Sequence, residues 1–232
     1  MKVTVAEIKD KLKAADADEL AVLERALIAD ERKGVRAALA SARKRIEAER
    51  AEEERLANLY EFEREVCLEK GGSLVVGLDE VGRGPLAGPL AVGAVALPHS
   101  PRIAGLNDSK QVKPEARERI AAEVKRVAIA WSVQYIGPSF IDEHGMTASL
   151  RLAFTRAVED VERQGADVDV ILLDGNALHL DPREVNVVKG DGKCASIAAA
   201  SIVAKVERDA LMRRYDEEYP EYGFADNKGY AS

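Results

Sequence analysis

Two hydrophobic runs that each end in acidic residues constrain the fold of this chain more than any other sequence feature. The run at residues 74–76 leads into Asp79 and Glu80, and the run at residues 170–173 leads into Asp174. Short apolar runs of this kind predict buried β-strands, and ligands of α/β sheets gather at strand ends. We therefore expect a sheet that carries an acidic site at one edge.

The composition of the chain changes near residue 70. Residues 1–70 contain one glycine and no proline, which is typical of helices, and we expect a helical extension whose last helix is long. Residues 71–232 alternate between strand and helix patterns, which indicates an α/β domain with a mixed sheet. The strand patterns lie at 74–79, 90–97, 127–136, 168–174 and 185–188, and the helix patterns at 114–126, 147–163 and 196–219.

A cluster of basic residues in the helical extension leaves two interpretations open. The cluster comprises Arg32, Lys33, Arg36, Arg43, Lys44 and Arg45. A solvated face of a helical arm accounts for it, and so does a surface that grips nucleic acid or a protein partner. On the second interpretation we expect the extension to add modestly to nucleic-acid affinity.

Composition narrows the class of protein. The 232 residues, 47% hydrophobic and 32% charged, are typical of a globular chain. The first residues are charged, unlike a secretory signal peptide, and no apolar stretch approaches the roughly 20 residues that span a bilayer. Cys67 and Cys194 are far apart in the sequence, and we expect free thiols in a cytoplasmic protein. The net charge of −7 does not exclude nucleic-acid binding, because cations neutralise carboxylates at a metal site.

A third acidic position lies in the helix pattern at residues 196–219. Ile202, Val206 and Asp209 share one stripe of this helix, and the alanines before them allow it to approach a sheet closely. Asp209 is therefore expected near the strand ends, with an ion pair to Lys205 as the alternative. Several carboxylates around one point raise one another's pKa unless cations bind, and all-oxygen ligands favour Mg²⁺ or Mn²⁺.

The glycine-rich segment at residues 82–88 follows directly after the first two acids. Strand neighbours point to opposite faces, so Asp79 and Glu80 reach one site only if the strand bends or ends, which Gly82 permits. The spacing GxGxxxG and the strand pattern after it argue against a dinucleotide-binding oxidoreductase. No P-loop or GxSxG motif is present. Zinc is not expected either, because the histidines are isolated: His99, His144 and His179.

Six segments, in this order, resemble ribonuclease HII, the type 2 ribonuclease H family. They are GLDEVGRGPLAGP at 77–89, GLNDSK at 105–110, LLDGN at 172–176, VVKGD at 187–191, SIAAASIVAKVERD at 196–209, and YGF with NKGY at 222–230. The resemblance covers residues 74–232 and implies a ribonuclease H-like fold with a five-stranded mixed sheet. The domains would then be a helical N-terminal extension at 1–70 and a catalytic domain at 71–232.

The resemblance also implies the roles of individual residues. The catalytic, metal-binding carboxylates would be Asp79, Glu80, Asp174 and Asp209. The loop that grips the backbone at a ribonucleotide and senses its 2′-hydroxyl would be Gly82, Arg83 and Gly84. Tyr230 would stack on the sugar at an RNA–DNA junction. Supporting contacts to backbone phosphates would come from Asn107, Ser109, Lys110 and Lys189.

The implied reaction is hydrolysis of RNA paired with DNA, and of single ribonucleotides embedded in a DNA duplex. The cut falls 5′ of the ribonucleotide, leaves 3′-hydroxyl and 5′-phosphate ends, and uses two divalent ions, Mg²⁺ or Mn²⁺. The setting implied is ribonucleotide excision by a monomer in a bacterial cytoplasm, with no membrane and with protein partners left open.

A departure from the family pattern and a related family keep two alternatives open. Family members usually continue past the GY segment with a histidine and a helical tail, whereas this chain stops at Ser232, so we expect a truncated C-terminus. One alternative is therefore a chain that binds hybrid duplexes without cutting them. The other is type 3 ribonuclease H, which shares the carboxylates but handles single ribonucleotides poorly.

Overall fold

The computed structural model describes residues 3–231, which form two compact units, one up to Arg55 and one from Leu56 onward. The helices are α1 (Val5–Ala14), α2 (Ala17–Ala26), α3 (Lys33–Glu69), α4 (Pro114–Val127), α5 (Pro138–Arg163), α6 (Ala195–Glu218) and α7 (Phe224–Asn227). The strands are β1 (Val75–Val81), β2 (Leu90–Ala96), β3 (Ala130–Ile136), β4 (Val170–Asp174) and β5 (Glu184–Val187). Among residues 3–231, no helix is long and apolar enough to cross a membrane.

The first unit is helical, as its composition predicts. Capping boxes begin both α1 and α2, with Thr4 paired to Glu7 and Asp16 paired to Glu19, and each box satisfies amides that the first turn leaves free. Apolar stripes of the helices meet in a small core: Ile8, Leu12, Ala15, Leu20, Val35 and Ala42.

The basic cluster of this unit is largely paired with carboxylates. Its arginines form salt bridges, listed here by pair: Arg32–Asp30, Arg36–Glu31, Arg43–Glu24 and Arg45–Glu49. Since neighbouring negative charges weaken the potential that attracts phosphates, the structure favours the solvated-face interpretation over a nucleic-acid grip.

The second unit contains the predicted five-stranded mixed sheet, in the order β3-β2-β1-β4-β5. β1 pairs antiparallel with β2 and parallel with β4, and β5 extends the parallel side. Because β1 and β4 are parallel neighbours, their carboxyl ends meet at the same edge of the sheet. The predicted fold class is confirmed.

The two faces of the sheet are covered by different helices. Val76 and Leu78 point from β1 toward the α5 side, where they share a core with Phe154. Gly77 and Asp79 alternate with them and face α6. A Cβ added to Gly77 would lie 2.3 Å from the backbone nitrogen of Ile197, so α6 approaches the sheet as closely as its alanine-rich sequence predicts.

Two element boundaries differ from the sequence predictions by more than two residues. The helix expected at residues 147–163 begins at Pro138 instead, because a first helical segment joins the second across Gly145, whose φ of 79° is not helical. The strand expected from residue 127 begins at Ala130, because α4 continues to Val127 and the register pairs Ala130 with Ala96.

Candidate active site

Asp79 is a buried acid in the middle of the sheet. Its Oδ1 accepts a 2.8 Å hydrogen bond from the backbone amide of Glu80, and the Ser201 side chain on α6 also bonds to it. Burial raises the pKa of Asp79 to about 7, and the negative charges of Glu80 and Asp174 add to the rise. A cation beside Asp79 would therefore offset the cost of burying its negative charge.

Glu80 is partly buried and faces Arg83, whose Nη1 lies 3.5 Å from its Oε1. Burial raises its pKa; Arg83 opposes the rise and Asp174 adds to it. β1 does not end at the two acids, because the ladder pairs Asp79 with Gly93, Glu80 with Val92 and Val81 with Ala91. The negative charge of Asp174 nevertheless raises the pKa of both acids.

Asp174 is the last residue of β4, as the sequence predicts. Its Oδ1 accepts a 2.6 Å hydrogen bond from the backbone amide of Gly190, which fixes the carboxylate against the loop after β5. The same loop supplies Asp191, an acid that the sequence analysis did not single out. Burial raises the pKa of Asp191, Asp108 and Asp174 add to the rise, and Lys110 opposes it.

Asp209 on α6 is buried but held by cationic side chains. Lys205 Nζ lies 2.7 Å from its Oδ1 and Arg117 Nη1 3.8 Å from its Oδ2, so the ion pair with Lys205 left open by the sequence is present. The charges of Glu80 and Asp174 raise the pKa of Asp79, and the charge of Asp174 raises that of Glu80. The structure thus couples three of the four predicted acids, and Asp209 faces Lys205 and Arg117.

The donor set suits a hard divalent cation, because it consists of carboxylate oxygens whose mutual repulsion a cation relieves. In the part of the chain from residue 3 to 231, no three acidic, histidine or cysteine side chains stand close enough together to hold a metal ion.

The glycine-rich loop after β1 meets the C-terminal segment of the chain. Gly82 has a φ of 94°, a left-handed conformation that glycine adopts without strain. A Cβ on Gly84 would lie 3.5 Å from Cε1 of Tyr230, whose side chain is half exposed. Arg83 is exposed. The exposed backbone at Gly84, an exposed cation and an aromatic ring thus lie together near Glu80.

The remaining predicted substrate contacts lie in two loops. Asn107 Oδ1 accepts from the Asp108 amide at 2.9 Å, while the side chains of Lys110 and Lys189 are exposed. Ser109 is buried, and its Oγ lies 2.9 Å from Ser201 Oγ in a hydrogen bond. Ser109 therefore touches the serine that bonds Asp79, and its predicted phosphate contact stays a prediction.

Solved structures with a similar fold are ribonucleases H. Ribonuclease H2 from Pyrococcus horikoshii OT3 is 27% identical with a TM-score of 0.58, over 69% of this chain and 82% of that one. RNase HII from Archaeoglobus fulgidus, solved as a complex with PCNA, is 29% identical with a TM-score of 0.56, over 69% and 83%. Bst-RNase HIII, solved in complex with Mn²⁺, is 25% identical with a TM-score of 0.55, over 62% and 55%.

The fold and the acidic edge therefore define a nuclease of the ribonuclease H class, a hydrolase that cuts nucleic acid internally. The family described as Ribonuclease HII matches residues 76–232, and the Ribonuclease HII N-terminal domain matches residues 4–67. This chain belongs to the ribonuclease HII family.

Proposed function

We propose that this ribonuclease H cuts RNA–DNA hybrids and single ribonucleotides embedded in duplex DNA, on the 5′ side of the ribonucleotide. The observation that carries the proposal is the meeting of Gly84 and Tyr230 on a loop that starts two residues after Glu80. A flat exposed backbone beside an aromatic ring suits a sugar with a 2′-hydroxyl, the group that distinguishes RNA from DNA.

The residues act in two groups. The exposed Arg83 and the turn formed by Gly82 and Gly84 bind the phosphate and the 2′-hydroxyl, while the Tyr230 ring stacks on the neighbouring sugar. Tyr230 is 52% exposed, so part of its side chain is accessible for this contact. Lys110, Lys189 and Asn107 line the approach to the acids and bind the phosphates on either side of the cut.

The acids would serve the chemical step as ligands of metal ions. Asp79, Glu80, Asp174 and Asp209 would bind two Mg²⁺ or Mn²⁺ ions, which activate water and neutralise charge on the phosphate when bound. The water oxygen attacks phosphorus, the bond from phosphorus to the 3′-oxygen of the preceding nucleotide breaks, and the products are 3′-hydroxyl and 5′-phosphate ends. The 2′-hydroxyl is recognised and takes no part as nucleophile.

A duplex with one ribonucleotide and a 5′ label on that strand tests the proposal. Alkali cuts such a strand 3′ of the ribonucleotide, so the enzyme product should be one nucleotide shorter than the alkaline marker. A polymerase should extend it directly, because its end is a 3′-hydroxyl. Asp79→Asn is the blank, and an all-DNA duplex is the negative substrate.

The two alternatives give different outcomes in the same assay. Cleavage of a continuous hybrid without cleavage at a single ribonucleotide would indicate type 3 behaviour. Binding of both duplexes with no product in either Mg²⁺ or Mn²⁺ would indicate a binding protein that does not cut. We also propose that the protein works as a monomer, in the cytoplasm, in ribonucleotide removal. Light scattering with and without duplex measures whether it is a monomer.

A further inference from the structure

Arg208 is a fully buried guanidinium on α6. Its Nε donates to the carbonyl of Pro89 at 2.9 Å, its Nη1 to the carbonyl of Lys228 at 2.9 Å, and its Nη2 to the carbonyl of Ala87 at 3.2 Å. One side chain thus joins two segments that lie about 140 residues apart in the sequence.

These hydrogen bonds determine where the two segments lie. Burying a charge is costly unless it is hydrogen bonded, and the guanidinium donates in a rigid planar fork. Because the fork is planar, its three carbonyl partners have little freedom to move relative to one another. A shorter ammonium group keeps the charge but cannot make the same set of bonds.

The glycine-rich loop is shaped to fit against this side chain. A Cβ on Gly82 would lie 2.4 Å from Arg208 Nε, and a Cβ on Gly88 would lie 3.1 Å from Nη2. Both glycines have positive φ, 94° and 87°, so the loop curls around the guanidinium in a conformation that other residues rarely adopt.

The C-terminal segment then lies directly on the loop. The amides of Leu86 and Ala87 donate to the carbonyl of Gly229 at 2.9 and 3.2 Å. A Cβ on Gly229 would lie only 2.2 Å from the carbonyl oxygen of Ala87, so the two backbones touch. Tyr230 follows immediately, and this contact places its ring beside Gly84.

We propose that Arg208 is a positioning residue that sets the spacing between the 82–84 loop and Tyr230, and through it the preference for a ribonucleotide. The inference rests on the proposed function, since it concerns how the same surface recognises the sugar. Arg208 itself does not touch the substrate. It acts through the carbonyls of Ala87, Pro89 and Lys228.

Arg208→Lys tests the inference against two matched controls. Phe154→Leu alters the core on the opposite face of the sheet, and Arg213→Lys makes the same chemical change on an exposed residue of α6. For each variant, kcat/KM is measured on a single-ribonucleotide duplex and on a continuous hybrid. We expect Arg208→Lys to lower the ratio of kcat/KM on the single-ribonucleotide duplex to kcat/KM on the hybrid by about tenfold or more. Both controls should leave this ratio unchanged.

Hydrogen exchange provides a readout that needs no activity. The amides of Leu86 and Ala87 should exchange about tenfold faster in Arg208→Lys, while the Phe154→Leu protein, even when equally destabilised, should protect them as the parent does. If the parent protein cuts no substrate, the proposed function fails, and the exchange rates alone decide whether Arg208 positions the two segments.

Gly229→Ala is the second variant, for use if Arg208→Lys does not fold. It separates the C-terminal segment from the loop and leaves Arg208 in place, so the same loss of ribonucleotide preference is expected. An unchanged substrate ratio together with unchanged exchange at Leu86 and Ala87, in either variant, would overturn the inference.

Discussion

Glu63 should make the stability of this protein fall as pH rises from 4.5 to 7. It lies on α3 in the second unit, is buried, and accepts hydrogen bonds from the amide and hydroxyl of Ser196 at the start of α6. Burial raises its pKa from 4.5 to about 7, against the opposing effect of the Ser196 bonds. The other groups that feel its charge, Tyr60, Cys67 and Cys194, have raised pKa values and stay neutral in this range.

The sign follows from proton binding. Between pH 4.5 and 7 the folded protein keeps a proton on Glu63 that the unfolded chain has lost, so the free energy of unfolding falls by about 1.4 kcal/mol per pH unit. Over the whole shift the loss amounts to about 3 kcal/mol. The contribution of Glu63 to the free energy of unfolding is fully present below pH 4.5 and is lost once the pH passes 7.

Glu63→Gln should abolish this dependence, because the amide oxygen still accepts from Ser196 and carries no charge. Urea unfolding at pH 5 and pH 8, with EDTA present, gives the difference between variant and parent at each pH. We expect the free energy of unfolding of the variant, relative to the parent, to rise by about 3 kcal/mol between pH 5 and pH 8. Any cost of placing an amide at position 63 would be the same at both pH values.

The control is Glu61→Gln on the same helix, an exposed acid whose pKa is lowered mainly by a hydrogen bond from Arg64. Its difference from the parent should not change between pH 5 and 8. Contributions from other acids with raised pKa values, such as Asp79, cancel in the comparison. A constant difference between Glu63→Gln and the parent from pH 5 to 8 would refute the reasoning.

Three further predictions concern the site. Asp174→Asn should lower cleavage of a single-ribonucleotide duplex to a few per cent or less, about two orders of magnitude in kcat, with duplex binding retained in a gel-shift assay; substantial residual cleavage would remove it as a ligand. Arg83→Ala should leave the urea midpoint unchanged but weaken the preference for the ribonucleotide over neighbouring positions, and an unaltered cleavage pattern would contradict its role. Lys110→Gln should reduce the slope of log Kd against log salt concentration by about one, whereas Arg43→Gln, in the paired basic cluster, should not; equal reductions would restore the extension as a nucleic-acid grip.

The strands and α6 could be predicted from sequence because their signals are local. An apolar run that ends in Asp174 and an alanine-rich helix that carries Asp209 have signals contained within a few residues. The helical segment from Pro138 was missed because Gly145 interrupts the pattern between it and the helix expected at 147–163.

What could not be predicted depends on contacts between distant elements. The sequence pairs Asp209 with Lys205 at helical spacing, but Arg117 reaches it from α4, and Ser201 reaches Asp79 from α6. The arginines at 32, 36, 43 and 45 read as a basic cluster, yet the partner of Arg43, Glu24 on α2, is visible only once the helices are packed. Asp191 is recognised as part of the acidic site only because the fold brings it near Asp174, whose charge raises its pKa.

The close contact between α6 and the sheet gives the site an unusual kind of rigidity. At Gly77 and Gly93, an added Cβ would lie 2.3 and 2.4 Å from backbone atoms of Ile197 and Ala200, so main chain rests on main chain. The height of α6 above the sheet is then fixed by contact between backbone atoms rather than by side chains that can change rotamer. Engineering of the proposed metal site should therefore alter carboxylate length, since the distance between the helix and the strands cannot be adjusted by repacking.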